Sequence, residues 1–143
     1  MRRFLPLGLP MFYIRPDADD TDGAWTSTAT HLYEVIDETS LSDADYIESS
    51  ANPVNDLCKI RLSNPSVTPA MPFTVKYRGF KTVATGTMEL RARLLQGTTQ
   101  IASWTESNVP ATPTTYSHTL SQGEFDSITD FTDLFIELRA NYT

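Results

Sequence analysis

The sequence predicts an all-β domain, a jelly-roll-like antiparallel β-sandwich of about eight strands with one short helix near 121–128 and an extended N-terminal arm. Three observations predict it. Apolar and polar residues alternate with a period of two through most segments, which places one side-chain set on each face of a strand. Pro, Gly, Asn, Ser and Thr punctuate the chain at short intervals, as in two-sheet β proteins. Only one stretch carries a convincing helix start.

The arm spans residues 1–16 and the sandwich residues 17–143. Residues 24–30 form a Thr/Ser-rich strand candidate anchored by Trp25. In residues 31–38 (HLYEVIDE), Leu32, Glu34 and Ile36 alternate with Tyr33, Val35 and Asp37, again the strand period. Residues 45–49 read as a short strand, and Asn52-Pro53 as a turn. In residues 57–63, Cys58, Ile60 and Leu62 share a face opposite Lys59 and Arg61. Residues 64–72 hold three prolines and form a loop. Residues 73–78 set Phe73, Val75 and Tyr77 against Lys76 and Arg78.

Residues 87–96 contain good helix formers, yet Met88, Leu90, Ala92 and Leu94 against Glu89, Arg91 and Arg93 is a cleaner period of two. Gly97-Thr98 then turns the chain into residues 100–106 as a hairpin, with Trp104 facing the second sheet. Residues 114–120 make a further strand. Ser121 and Glu124 have the spacing of a capping box, with Leu120 and Phe125 placed as a hydrophobic staple. The last strand, 134–140, points Leu134, Ile136, Leu138 and Ala140 inward and Glu137 and Arg139 outward.

At 143 residues the chain is one domain and can bury a core without staples. Its formal charge of −7 opposes nucleic acid and anionic membranes, so neither is expected as a partner. Between residues 17 and 56 there are eleven carboxylates and no Lys or Arg, and eight of the eleven basic residues follow. That block is either a solvated face or a contact surface for a basic partner. Cys58 is the sole cysteine, which excludes an intrachain disulfide and reads as a buried, inert thiol.

The opening residues MRRFLPLGLPMFYIRP have the basic-then-apolar order of a signal peptide, but Pro6, Gly8 and Pro10 interrupt the apolar run and no small-residue cleavage site follows. Nor can the run span a membrane, which takes about 20 apolar residues. Prolines favour an extended chain. Phe4, Leu5, Leu7, Leu9, Met11, Phe12 and Ile14 then need a surface, either the chain's own sandwich or a neighbouring subunit. They are the expected partner-binding residues.

Motifs for chemistry are absent. There is no nucleophile elbow, no C-x-x-C, no H-E-x-x-H and no P-loop, and no cofactor is expected. His31 and His118 each lie in a strand-like context without a neighbouring Cys or second His. The expectation is therefore a protein that is not an enzyme. Asp17, Asp19, Asp20 and Asp22 invite a calcium reading, because crowded hard oxygens repel unless neutralised. Their spacing does not match an EF-hand, and an acidic solvated loop is the alternative. Trp25, Trp104, Tyr46, Tyr77 and Tyr116 could stack sugars, or be core.

Five stretches resemble small β-sandwich proteins of tailed bacteriophages: RPDADDTDGAWTS (15–27), LYEVIDE (32–38), DADYIES (43–49), LRARLLQGTTQIASWTE (90–106) and YSHTLSQGEFDSITDFTDLFIELRA (116–140). The resemblance implies a virion component, with a capsid decoration (cement) protein as the nearest role. It implies non-covalent contact with the major capsid protein, a homo-oligomer (trimer or dimer) on the capsid surface, and passage through the host cytoplasm during assembly. Alternatives within the same setting are a carbohydrate-binding or fibre-like adhesion module that takes a host glycan, and a head–tail connector or tail component.

Overall fold

The computed structural model describes residues 13–37, 40, 42–83 and 85–143. They form seven strands: β1 (Pro16–Thr21), β2 (Asp56–Leu62), β3 (Thr74–Gly79), β4 (Met88–Gln96), β5 (Thr99–Glu106), β6 (Thr114–Thr119) and β7 (Leu134–Tyr142). A five-residue helix, α1 (Gln122–Asp126), precedes β7. One sheet has the order β1-β2-β7-β4-β5 and the other the order β3-β6, with every pair antiparallel. The pairs β4–β5, β3–β6 and β2–β7 nest inside one another in sequence. This is the pattern of a long hairpin rolled into two facing sheets, the logic of a jelly roll. An eight-stranded jelly roll divides its strands evenly between two sheets, whereas here the second sheet holds two among the described residues.

The alternation read from sequence explains the large sheet. Cys58 and Ile60 of β2, Ala92 and Leu94 of β4 and Leu134 of β7 are each 0% exposed. The β4–β5 hairpin turns at Gly97, whose φ of +58° is the left-handed conformation that a glycine adopts without strain. A register shift at Leu94/Leu95 lets both residues bury, and on β5 it leaves Ala102, Trp104 and Glu106 opposite Leu94, Ala92 and Leu90 on the inner face. The capping box before α1 is present in full: Glu124 N–H donates to Ser121 Oγ, and Ser121 N–H donates to Glu124 Oε2 at 2.7 Å. Leu120 is buried and Phe125 packs in the same core cluster, as a staple requires.

Several expectations need correction. The acidic stretch at Asp17 is an edge strand, β1, held by Lys59 and Arg61 of β2 rather than a loop. Residues 24–30 are not a strand: Thr26 makes one isolated bridge to Glu48, and the 45–49 stretch likewise reduces to that bridge. In 31–38 a 3-10 turn, Tyr33–Val35, replaces the strand, because Leu32 and Val35 bury at a spacing of three and Asp19 caps the turn. The first strand starts at Pro16, and Ile14 packs against the core cluster of Leu94, Leu120 and Leu134.

Candidate functional site

A large cleft opens between the sheets, on the side of β3 away from β6. Its volume is about 1580 Å³, beyond the roughly 300–1,000 Å³ of small-molecule sites. The inner face of the large sheet is its floor, with Leu62, Met88, Ile136 and Leu138 reaching into it; β3 makes one wall and the segment carrying Tyr46 and Ile47 the other. Ile136 and Leu138 lie on β7, the central strand, yet are only partly buried, while their register neighbours Ile60, Leu94, Cys58 and Ala92 are at 0%. Central-strand apolar residues that remain half-wet mark a sheet face that is not fully covered.

Among the described residues, the wall formed by β3 is also an open edge. Leu120 N–H donates to Phe73 C=O, and hydrogen-bonded and non-bonded pairs alternate along an antiparallel ladder. Val75 and Tyr77 therefore bond to β6, and Thr74, Lys76 and Arg78 turn their N–H and C=O groups away from it. The Thr74 and Thr119 hydroxyls, 2.9 Å apart, fit that phase, since side chains of a non-bonded pair approach most closely. Arg78 pairs with Asp43 across the far end of the cleft through Nε and Nη2, and this guanidinium holds the Asp43 carboxyl below its ordinary range.

The expected partner-binding residues Phe4, Leu5, Leu7, Leu9, Met11 and Phe12 lie outside the described residues. Ile14, the seventh, sits at the cleft mouth beside Tyr13 and belongs to the core cluster.

The four aspartates of the calcium reading do not converge. Asp17 faces Arg61 at 3.8 Å and Asp20 faces Lys59 at 3.6 Å. Asp19 accepts from the N–H groups of Leu32 and Tyr33 at 2.8 and 2.9 Å. No group of three or more His, Cys, Asp or Glu suited to a metal occurs among the described residues. Much of the acidic block is thus matched within the fold, by Lys59, Arg61, Arg78 and backbone donors.

The aromatics are mostly interior. Trp25 is 9% exposed and donates its indole N–H to Asp56 C=O at 3.1 Å. Trp104 stacks on His118 at 5.0 Å with a 10° interplanar angle, and Tyr77 packs on Tyr116 at 5.4 Å. Tyr46 is the exposed one at 42%, edge-on to Phe80. Cys58 is fully buried, and burial pushes its thiol up to about 12.

Two polar constellations went unread in the sequence. Between the sheets, Glu106 Oε1 accepts from the Tyr77 hydroxyl at 2.7 Å and lies 2.9 Å from His118 Nε2. Burial first, and the bond to Glu106 second, keep the Tyr77 hydroxyl protonated well above its ordinary range. The trio ties β3, β5 and β6 together beneath Trp104 and includes no nucleophilic Ser, Thr or Cys. Its signal was a glutamate on the inward phase of a strand.

On the outer face of the large sheet, Glu137 is 6% exposed and accepts from Arg93 Nε and Nη2 at 2.6 Å, with Arg91 Nη2 at 3.6 Å. Arg139 pairs with Glu89 at 2.7 Å, and Lys59 lies over the Phe135 ring at 4.1 Å. Arg91 and Arg139 stand opposite each other in register. Burial and then the neighbouring guanidiniums of Arg139 and Arg93 lower the Arg91 pKa. Charges on the outward phase of three adjacent strands were its signal.

Comparison with known protein families, with curated proteins and with solved structures finds no match to this chain.

Proposed function

We propose that the protein is a non-enzymatic structural component of a bacteriophage virion, a decoration protein that binds the capsid without covalent linkage. One observation carries the reading: the apolar stretch of residues 4–12 precedes in sequence residues 13–16, which line a cleft on the inner face of the sandwich. The cleft is apolar on its floor and too large for an ordinary small-molecule site, so it suits a polypeptide better than a metabolite. The likeness of five stretches to tailed-phage sandwich proteins supplies the capsid as partner.

In this reading residues 4–12 anchor the domain by burying apolar side chains against a capsid neighbour, at about 25 cal/mol per Å² of apolar area. Co-sedimentation with undecorated particles tests it. The full chain should pellet saturably, and the double substitution Leu7→Asp with Leu9→Asp should abolish pelleting while thermal unfolding remains cooperative. Unchanged pelleting of that variant would remove the arm from the account, and no pelleting of the full chain would remove the capsid.

A further inference from the structure

We infer that the outer face of the large sheet, centred on Arg91, binds the acidic segment of residues 45–48 of a second copy of this chain. The inference concerns copies meeting in solution and stands without the capsid reading.

Of the cations on that face, four have a carboxylate of their own. Lys59 faces Asp20, Arg61 faces Asp17, Arg93 bonds to Glu137 and Arg139 to Glu89. Arg91 is left over. The one carboxylate within 4 Å of it is Glu137, at 3.6 Å, and the same Glu137 oxygen already takes two nitrogens of Arg93 at 2.6 Å. Arg91 makes no side-chain hydrogen bond among the described residues, and its Nε, like that of Arg139, is buried without a partner there.

Arg91 also stands between like charges. Arg139 lies opposite it in register, and Arg93 is two residues along on the same face. Like charges directly opposite one another destabilise a sheet. A guanidinium offers its donors as a rigid fork that matches a carboxylate. With 24% of its side chain exposed, Arg91 presents that fork at the surface.

The same chain carries the matching chemistry. Asp45 and Glu48 are exposed, on a stretch without Lys or Arg, and neither side chain enters an ion pair or hydrogen bond among the described residues. Their neighbour Asp43 is the carboxylate that Arg78 takes. The segment is also held in place. Thr26 and Glu48 exchange backbone hydrogen bonds at 2.8 and 2.9 Å, and Tyr46 rests edge-on against Phe80 at 6.0 Å while staying exposed. A carboxylate on Arg91 completes the pairing of the face, and an exposed tyrosine ring beside it suits a guanidinium plane.

Geometry makes the contact intermolecular. Residues 45–48 wall the cleft on the inner side of the large sheet, whereas Arg91 alternates with the inward Leu90 and Ala92 and so lies on its outer side. Each copy therefore brings one acidic segment and one basic face, a head-to-tail arrangement that closes into a ring or extends into a chain. Salt separates this attraction from the repulsion between molecules of net charge −7. At about 0.1 M the screening length of about 10 Å damps the whole-molecule field but spares ion pairs in contact.

Sedimentation velocity of the full chain tests the proposal. At about 0.1 M salt the sedimentation coefficient should rise with protein concentration, and at about 1 M, where screening shortens to about 3 Å, association should weaken several-fold. Arg91→Met should stay monomeric with an unchanged or higher melting temperature, since it removes a like charge and leaves Glu137 with Arg93. Asp45→Asn with Glu48→Gln should also stay monomeric; it alters only exposed side chains, so the test remains readable if Arg91→Met fails to fold. Mixed in equal amounts, the two variants should form a dimer and nothing larger, because only the acidic segment of the first and the basic face of the second are intact. A monomeric full chain, association that persists in either variant or strengthens with salt, or a mixture that stays monomeric would each overturn the proposal. Capsid pelleting is read in a separate experiment, so either reading can fail alone.

Discussion

Replacing Glu137 with alanine should be among the most damaging single changes on the outer face of the large sheet. Its carboxylate is 6% exposed and takes two 2.6 Å contacts from Arg93, with Arg91 at 3.6 Å. Without it, Arg91, Arg93 and Arg139 remain close together on adjacent central strands, and Arg91 and Arg139 are already cross-strand partners. Like charges directly opposite one another destabilise a sheet. Removing one partner of a buried pair costs about 3–5 kcal/mol. The arginine side chains here keep about a quarter of their surface, so water relieves part of that, and roughly 2–3 kcal/mol is the expected loss.

For a domain of this size each kcal/mol moves the melting temperature by about 3–4 °C, so calorimetry should show a drop of roughly 6–12 °C. The companion variant Arg93→Met with Glu137→Met removes the pair together and should lose much less, because an apolar replacement of a buried pair is often neutral. A Glu137→Ala drop below about 2 °C would refute the view that this carboxylate neutralises the face, and so would a double variant that loses as much as the single one.

Three further outcomes follow from local geometry. The Cys58 thiol is raised from 9.0 to about 12 by burial; a raised pKa gives stability that is complete below pH 9 and lost as pH rises toward 12, up to ~4 kcal/mol in all. Urea unfolding of Cys58→Ala should show a shallower loss over that window, and an unchanged slope would contradict the assignment. Ser121→Ala removes the acceptor that caps α1, so it should cost about 1 kcal/mol by urea unfolding; no loss would mean the box is not formed in solution. Gly23→Ala drives a Cβ into the Leu57 carbonyl oxygen at a φ of +58°. It should lower the melting temperature by several degrees, about 2 kcal/mol or more, and a neutral result would contradict the tight turn into Trp25.

How much was legible in the sequence varies by segment. Strands β2 to β7 were readable because most of them alternate, as in Cys58-Lys59-Ile60-Arg61, and because turns such as Gly97-Thr98 bound them. The capping box was readable because it is a local hydrogen-bond pattern. The 31–38 segment misled, since Leu32, Val35 and Ile36 satisfy a period of two and a spacing of three about equally over so short a run. What settled it was Asp19, distant in sequence, capping the turn. β1 was hidden by its composition, because aspartates are poor strand formers and its partners Lys59 and Arg61 lie some forty residues on. The cleft was not legible at all, because it lies where β3 pairs only with β6 among the described residues, a property of topology rather than of residue pattern. The apolar residues between Phe4 and Ile14 were legible as side chains in need of cover.

Copy number in purified particles tests the central claim most directly. Quantitative mass spectrometry of virions carrying this chain should find it in fixed proportion to the major capsid protein, as expected of a molecule that decorates every equivalent site on the shell. A small fixed number per particle would place it at a connector or tail, and its absence from the particle would contradict the virion reading itself.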